Sequence, residues 1–135
     1  MMATAATVQL TSLLSLYSKI LPMWTFPFLP LGVAAFFQSM AWMSGSILLA
    51  SLSLFPRMLV LWIFAGLEYL FMSPTMNIGV EVLGMSEPTL VVIYQVMTLI
   101  IYIMVHTLLF KKPFHIKYVV SFILMTCALY VAYMW

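Results

Sequence analysis

Charge is what this chain has least of. Of its 135 residues, five are Lys or Arg and three are Asp or Glu. A soluble domain carries about a quarter charged residues, so a water-facing shell of ordinary composition is excluded. Cysteine is nearly absent too. Cys127, the single thiol, lies inside the last apolar run. That excludes an intrachain disulfide and leaves no zinc-type spacing, so Cys127 reads as a small packing residue. The few glycines form no phosphate-binding loop, and no Ser/His/Asp set or metal-ligand spacing is present. Nothing in the sequence therefore points to an enzyme, a cofactor or a metal site. The basic residues are scattered, without the patch that a nucleic-acid partner would need.

Apolar residues fill the chain instead. Hydrophobic types make up 66% of it, and the mean hydropathy is +1.19. Long uncharged runs at this composition predict an all-α integral membrane protein, with room for one domain of about four spans. The thirteen methionines suit adaptable packing in lipid or around a varied ligand.

Residues 1–25 carry one charge, Lys19, and are rich in Ala, Thr and Ser before an apolar cluster ending at Pro22. This segment reads as an interfacial or flexible lead-in, with a targeting peptide as the rival reading. A transmembrane domain follows over 26–135, with spans expected at about 27–49, 57–79, 89–110 and 117–135. Pro27 and Pro30 fit the first turn of the first span, where a missing N–H does least harm. Ser51, Ser53 and Pro56 mark the turn before the second. Ser86 or Glu87 reads as the cap that starts the third. Tyr118, Tyr130, Tyr133 and Trp135 near the ends of the fourth fit interfacial aromatic belts.

The second span is the one around which the others are read. At ~1.5 Å per residue its length is roughly 30 Å, the thickness of a hydrocarbon core. Near its middle stands Glu68, the only acid deep inside an apolar run. A carboxylate there costs about 2.5 kcal/mol or more unless it is paired, hydrated or protonated. Phe64, Ala65, Phe71 and Met72 share its helix face, and no Lys or Arg lies at matching depth elsewhere. The neutral acid is the expected form, donating to Gln38, Tyr94 or Gln95 on a facing helix. Two roles stay open for it: a hydrogen bond that holds the bundle, or a proton or cation site. Late in the same span, Pro74 removes a backbone hydrogen bond and should kink or loosen the helix, while Asn77 and Gly79 suit its C-terminal end.

Two other spans carry polar faces. In the first, Gln38 and Trp42 are four apart, with Gly45 and Ser46 continuing the line. In the third, Tyr94, Thr98 and Tyr102 follow at the same spacing, then His106, with Gln95 beside them. Residues so spaced share a face, and such a face belongs in the bundle interior rather than against lipid. Interhelical hydrogen bonding explains these residues, and so does one wall of a substrate path. As a path, its members are Glu68, Gln38, Trp42, Tyr94, Gln95, Thr98 and Tyr102.

Four spans put Arg57, Lys111, Lys112 and Lys117 at one membrane face, and Lys19 at the other. The positive-inside rule then makes the first face cytosolic and both termini non-cytosolic.

The order of landmarks resembles the small four-helix DMT proteins of the drug/metabolite transporter superfamily. Ala41-Trp42 falls late in the first span and Glu68-Tyr69 in the second. Pro74 with Ile78-Gly79 is similar to that family's Pro-x-x-x-Ile-Gly. Gln95-Val96-Met97-Thr98-Leu99 is similar to its Glu-Val-x-Thr-Leu, and Pro113 precedes the last span. The resemblance covers about residues 28–135. It departs at Gln95, where the family has an acid, and at Asn77, where it has a basic residue. The distantly similar small multidrug resistance transporters use a Glu in their first span, which this chain lacks, so their export mechanism does not carry over directly. The resemblance implies a four-helix bundle of transporter-like ancestry. Taken with the deep acid, the expected function is movement of a small solute across the lipid bilayer by a homodimer, coupled through Glu68 to a proton or cation. The alternative is a non-transporting membrane subunit or assembly factor acting through helix–helix contacts.

Overall fold

The computed structural model describes residues 5–46 and 49–134, with the side chains of 44–46, 129 and 132–134 left out of the description. The described residues are helical throughout, joined by short turns. α1 spans Ala5–Ile20, and a single 3-10 turn at Met23–Thr25 leads into α2 at Phe28–Ser46. α3 runs Leu54–Asn77 and continues as a π-helical turn over Ile78–Val82. α4 runs Glu87–Met104 and likewise continues through a π turn, Val105–Leu109. α5 is Ile116–Met134.

Two of these rods are long and apolar enough to cross a bilayer: Leu54–Val82, 29 residues, and Glu87–Leu109, 23 residues. The described apolar stretches of α2 and α5, Phe28–Met43 and Ile116–Ala128, are shorter. Residues 47–48, over which the first span was expected to continue, lie outside the described residues, as do the side chains of Gly45 and Ser46 at the end of its polar face. The N-terminal lead-in contains a helix, α1, with no buried residue. It packs on the Ile78–Val82 turn. The Tyr17 hydroxyl is 2.6 Å from Thr25 Oγ1, and the Tyr17 and Phe26 rings meet edge to face.

α2 is the central helix, flanked by α3 and α4. Its Leu31, Ala34 and Ala35 are fully buried, and Ser39 nearly so. The small side chains of Ala34, Ala35 and Ser39 let neighbouring backbones approach, which is how helices associate where water supplies no driving force. Tyr94 of α4 completes this core, with Phe71, Met72, Met76, Ile93, Met97 and Ile101 packed around it. Phe37 stacks on Phe71 at 6.0 Å between ring centroids. α5 packs on α4.

Helix boundaries differ from the sequence expectation in two places. Pro56 lies inside the first turn of α3 rather than in the preceding turn, with Ser53 at the N-cap. A proline is tolerated there because its missing N–H has no intrahelical acceptor to serve. Asn77 and Gly79 do not end the helix, which continues through the π turn to Val82. The actual stop is Gly84, at φ +64. Leu83 N–H bonds to the Ile78 carbonyl and Met85 N–H to that of Gly79. This left-handed closure satisfies carbonyls that a helix end leaves open. The same closure ends α4, where Lys112 N–H bonds to the His106 carbonyl and Lys111 takes φ 49.

Around Pro74 the backbone ladder is also altered. The Thr75 hydroxyl donates to the Phe71 carbonyl at 2.7 Å, and the Ile78 N–H is shared between the carbonyls of Pro74 and Thr75. α3 nevertheless stays α-helical through Pro74 to Asn77, and the π turn begins at Ile78. The start of α4 matches its expectation: Ser86 Oγ accepts from Thr89 N–H at 3.3 Å.

Candidate functional site

Three helices bring four polar side chains to one point. α4 supplies Tyr94 and Thr98, one turn apart on one face. α2 supplies Gln38 and α3 supplies Glu68. The Tyr94 oxygen lies 2.6 Å from Glu68 Oε1 and 3.1 Å from Gln38 Oε1. Thr98 Oγ1 donates to the same Gln38 oxygen at 3.1 Å. Glu68 is half-buried, and Tyr94 is buried. Of the three partners named for Glu68 from sequence, the structure places Tyr94 in direct contact, puts Gln38 one hydrogen bond further on, and sets Gln95 elsewhere.

The proton count in this chain is informative. A phenol has one proton, and a carboxylate and an amide carbonyl are both acceptors. Tyr94 therefore cannot donate to Glu68 and to Gln38 Oε1 together. Two arrangements satisfy all contacts: a protonated Glu68 donating to Tyr94, which donates to Gln38 Oε1, or an ionised Glu68 accepting from Tyr94 with the Gln38 amide turned so that Nε2 faces Tyr94 and Thr98.

Behind Gln38 opens a cavity of about 310 Å³. Gln38, Ser39 and Trp42 line it from α2, Gln95, Thr98, Leu99 and Tyr102 from α4, and Met125 from α5. The seven residues read as a path from sequence thus fall into two joined groups. Glu68 and Tyr94 form the hydrogen-bonded end, Trp42, Gln95 and Tyr102 line the cavity, and Gln38 and Thr98 belong to both. Gln95 is one residue beyond Tyr94, about 100° around the helix, and so faces the cavity instead of the acid. Tyr102 also stacks on His106, with centroids 5.8 Å apart.

Some contributors carry no mark in the sequence. Met125 and Leu99 are generic apolar residues, and only tertiary packing puts them at the cavity. A second, largely apolar groove of about 720 Å³ is lined by residues that include Trp24, Thr25, Phe28, Gly32, Met97 and Ile101. At Gly32 a Cβ would stand 3.0 Å from Met97 Cε. Arg57 holds the α2–α3 turn, with Nε 3.1 Å from the Leu49 carbonyl and Nη2 2.9 and 3.3 Å from those of Ala50 and Leu52. No group of three or more His, Cys, Asp or Glu side chains is placed to share a metal ion among the described residues.

A family described as "Putative member of DMT superfamily (DUF486)" matches residues 27–133. No curated protein and no solved structure matches the chain.

Proposed function

The chain belongs to this DUF486 family, grouped with the drug/metabolite transporters, and from that premise we propose that it moves a small solute across a membrane through a four-span bundle, with Glu68 coupling the movement to a proton or cation. In this reading α2 to α5 are the spans and α1 lies at the interface. The observation that carries it is the cavity between α2, α4 and α5, whose polar wall connects through Gln38 and Tyr94 to the one acid placed deep in an apolar helix. A solute entering that cavity meets groups that answer to the protonation of Glu68. A cavity of this size holds a small organic molecule.

A homodimer completes the reading. α5 packs on α4, and Met125 is the cavity's lining residue from α5. A second copy laid along the exposed Ile116, Val120, Ile123 and Leu124 face would close that side, as duplication does in transporters built from repeats. The basic end, Arg57, Lys111, Lys112 and Lys117, faces the cytosol, so both termini are non-cytosolic and the two copies are parallel. Cysteines engineered at Ser53 and Phe114 in a Cys127→Ser background should be shielded from an impermeant thiol reagent added outside intact cells. Labelling at either site would reverse the orientation.

Transport itself is tested in proteoliposomes carrying a trapped pH dye, challenged with a panel of small amines, alcohols and amides. Protein-dependent, solute-driven proton movement is expected for at least one, with loss in Glu68→Gln. No movement, together with a detergent-solution mass showing a stable partner of another sequence, would replace this reading with a non-transporting membrane subunit.

A further inference from the structure

Tyr94 has one phenolic proton and two acceptors within reach, so its hydrogen bond can point either way but not both. We propose that Tyr94 transmits the protonation state of Glu68 to Gln38, and that loss of the Glu68 proton turns the Gln38 carbonyl oxygen into a free acceptor for a solute bearing an N–H or O–H donor. The proposal deepens the transport reading and rests on it for the cavity being a solute site. The switch itself rests on the geometry of the four side chains.

A protonated Glu68 would donate across its 2.6 Å contact to Tyr94, leaving the phenol proton for Gln38 Oε1, to which Thr98 also donates. The amide oxygen is then doubly occupied and offers nothing to the cavity. When Glu68 ionises, its proton leaves to water, and the stronger acceptor, the carboxylate, accepts the hydrogen bond of the Tyr94 O–H at 2.6 Å. Two bare oxygens, those of Tyr94 and Gln38, are left 3.1 Å apart. Turning the amide over relieves this. Nε2 then donates to Tyr94 and Thr98, and Oε1 is released toward the cavity that Gln38 lines. The cavity meets a doubly occupied oxygen in one state and a free one in the other.

Few other groups can supply this charge logic. α2 carries no Asp, Glu, Lys, Arg or His. α4 presents Tyr94 to Glu68, while its Glu87 is in the first helical turn and exposed. On α3 itself, Tyr69 is next in sequence and exposed, and Arg57 is three turns away, tied to carbonyls of the preceding turn. The solute class follows from the walls. Trp42, Leu99, Tyr102 and Met125 ask for an apolar or aromatic body, and Gln38 asks for a single donor.

The test is pH-difference infrared spectroscopy on the full chain in liposomes, with side-chain carbonyls of glutamine isotopically labelled and the Gln38 band assigned by its loss in Gln38→Leu. As the Glu68 carboxylic band disappears with rising pH, the Gln38 carbonyl band should move to higher frequency in step with it. In Tyr94→Phe the carboxylic band should still titrate while the Gln38 band stays still. Glu68→Gln, which keeps the shape of the acid, should leave the Gln38 band fixed at every pH, so the proposal stays testable even if Tyr94→Phe does not fold. At high pH, indole should return the Gln38 band to lower frequency and 1-methylindole, which lacks the donor, should not. A Gln38 band indifferent to pH in the wild type, or one that follows pH in Tyr94→Phe, overturns the switch. Equal effects of the two indoles, or none from either, overturn the donor-solute assignment. None of these readings requires flux, so a failed switch is distinguishable from a failed transport assay.

Discussion

Gly79 and Leu90 are packed so closely that a Cβ on Gly79 would stand 2.5 Å from Leu90 Cδ1. Leu90 is fully buried, so its side chain has nowhere to retreat. Gly79→Ala should therefore destabilise the fold by about 1–3 kcal/mol, the usual cost of overpacking. Thermal unfolding in mild detergent reads this, and Leu90→Ala should cost less in the Gly79→Ala background than in the wild type. Additive losses in the double mutant would show that the two residues do not compete for space.

Lys111 is the only described non-glycine residue with positive φ. Gly84 fills the equivalent place at the end of α3 without strain, because it has no Cβ. Lys111→Gly should accordingly stabilise the protein by about 1 kcal/mol, while Gly84→Ala should destabilise it by a similar amount. The pair is checked by melting temperature under one set of conditions. A lower melting temperature for Lys111→Gly would show that the lysine makes a compensating contact.

Arg57 contributes more than charge, since its guanidinium reaches the carbonyls of Leu49, Ala50 and Leu52. Lysine keeps the charge but lacks the planar fork. Arg57→Lys should leave membrane orientation intact and loosen the α2–α3 turn. The measurement is the thiol-labelling rate at an engineered Ser51→Cys, expected to rise severalfold over the same cysteine with Arg57 present. An unchanged rate would mean that the turn holds itself.

Much of this architecture was legible because it follows from simple pattern. The helices show as uncharged runs, and Ser86 shows as a cap because its hydroxyl precedes Pro88 and Thr89 at the right spacing. Glu68, Tyr94 and Thr98 were found as the one deep acid and a four-residue stripe, and Gln38 as a lone amide in an apolar helix. The helix ends were less legible. α3 and α4 both run on through a π turn into a left-handed closure, and only backbone geometry shows that Gly84, not Gly79, is the stop. Gly79 looked like a terminator because glycine often is one, whereas its actual constraint is the approach of Leu90 from another helix. The part of Arg57 was hidden for a similar reason: a charge at a span's edge has a sufficient explanation in topology, and its three carbonyl partners appear only once the turn is built. The division of the stripe into an acid-facing Tyr94 and a cavity-facing Gln95 depends on how α4 is rotated against α2, which spacing alone does not fix.

The two roles open to Glu68 separate through two substitutions. Glu68→Gln places an N–H donor where the protonated acid has its O–H, so the chain through Tyr94 to Gln38 persists. Its stability should match the wild type. Glu68→Ala removes the partner of Tyr94 altogether. It should be less stable than Glu68→Gln by about 1 kcal/mol, within the range of interhelical hydrogen bonds in membrane proteins. If Glu68 only ties α3 to α4, flux in Glu68→Gln should equal that of the wild type at every pH. If it exchanges a proton with the cavity, flux in Glu68→Gln should persist at a reduced level or vanish, and in either case should show no dependence on pH. Proteoliposome flux measured across a pH series, alongside melting temperatures for all three proteins, reads both properties on the same samples. A well-folded Glu68→Gln protein with undiminished, pH-dependent flux would assign Glu68 to the structure and move the coupling site elsewhere.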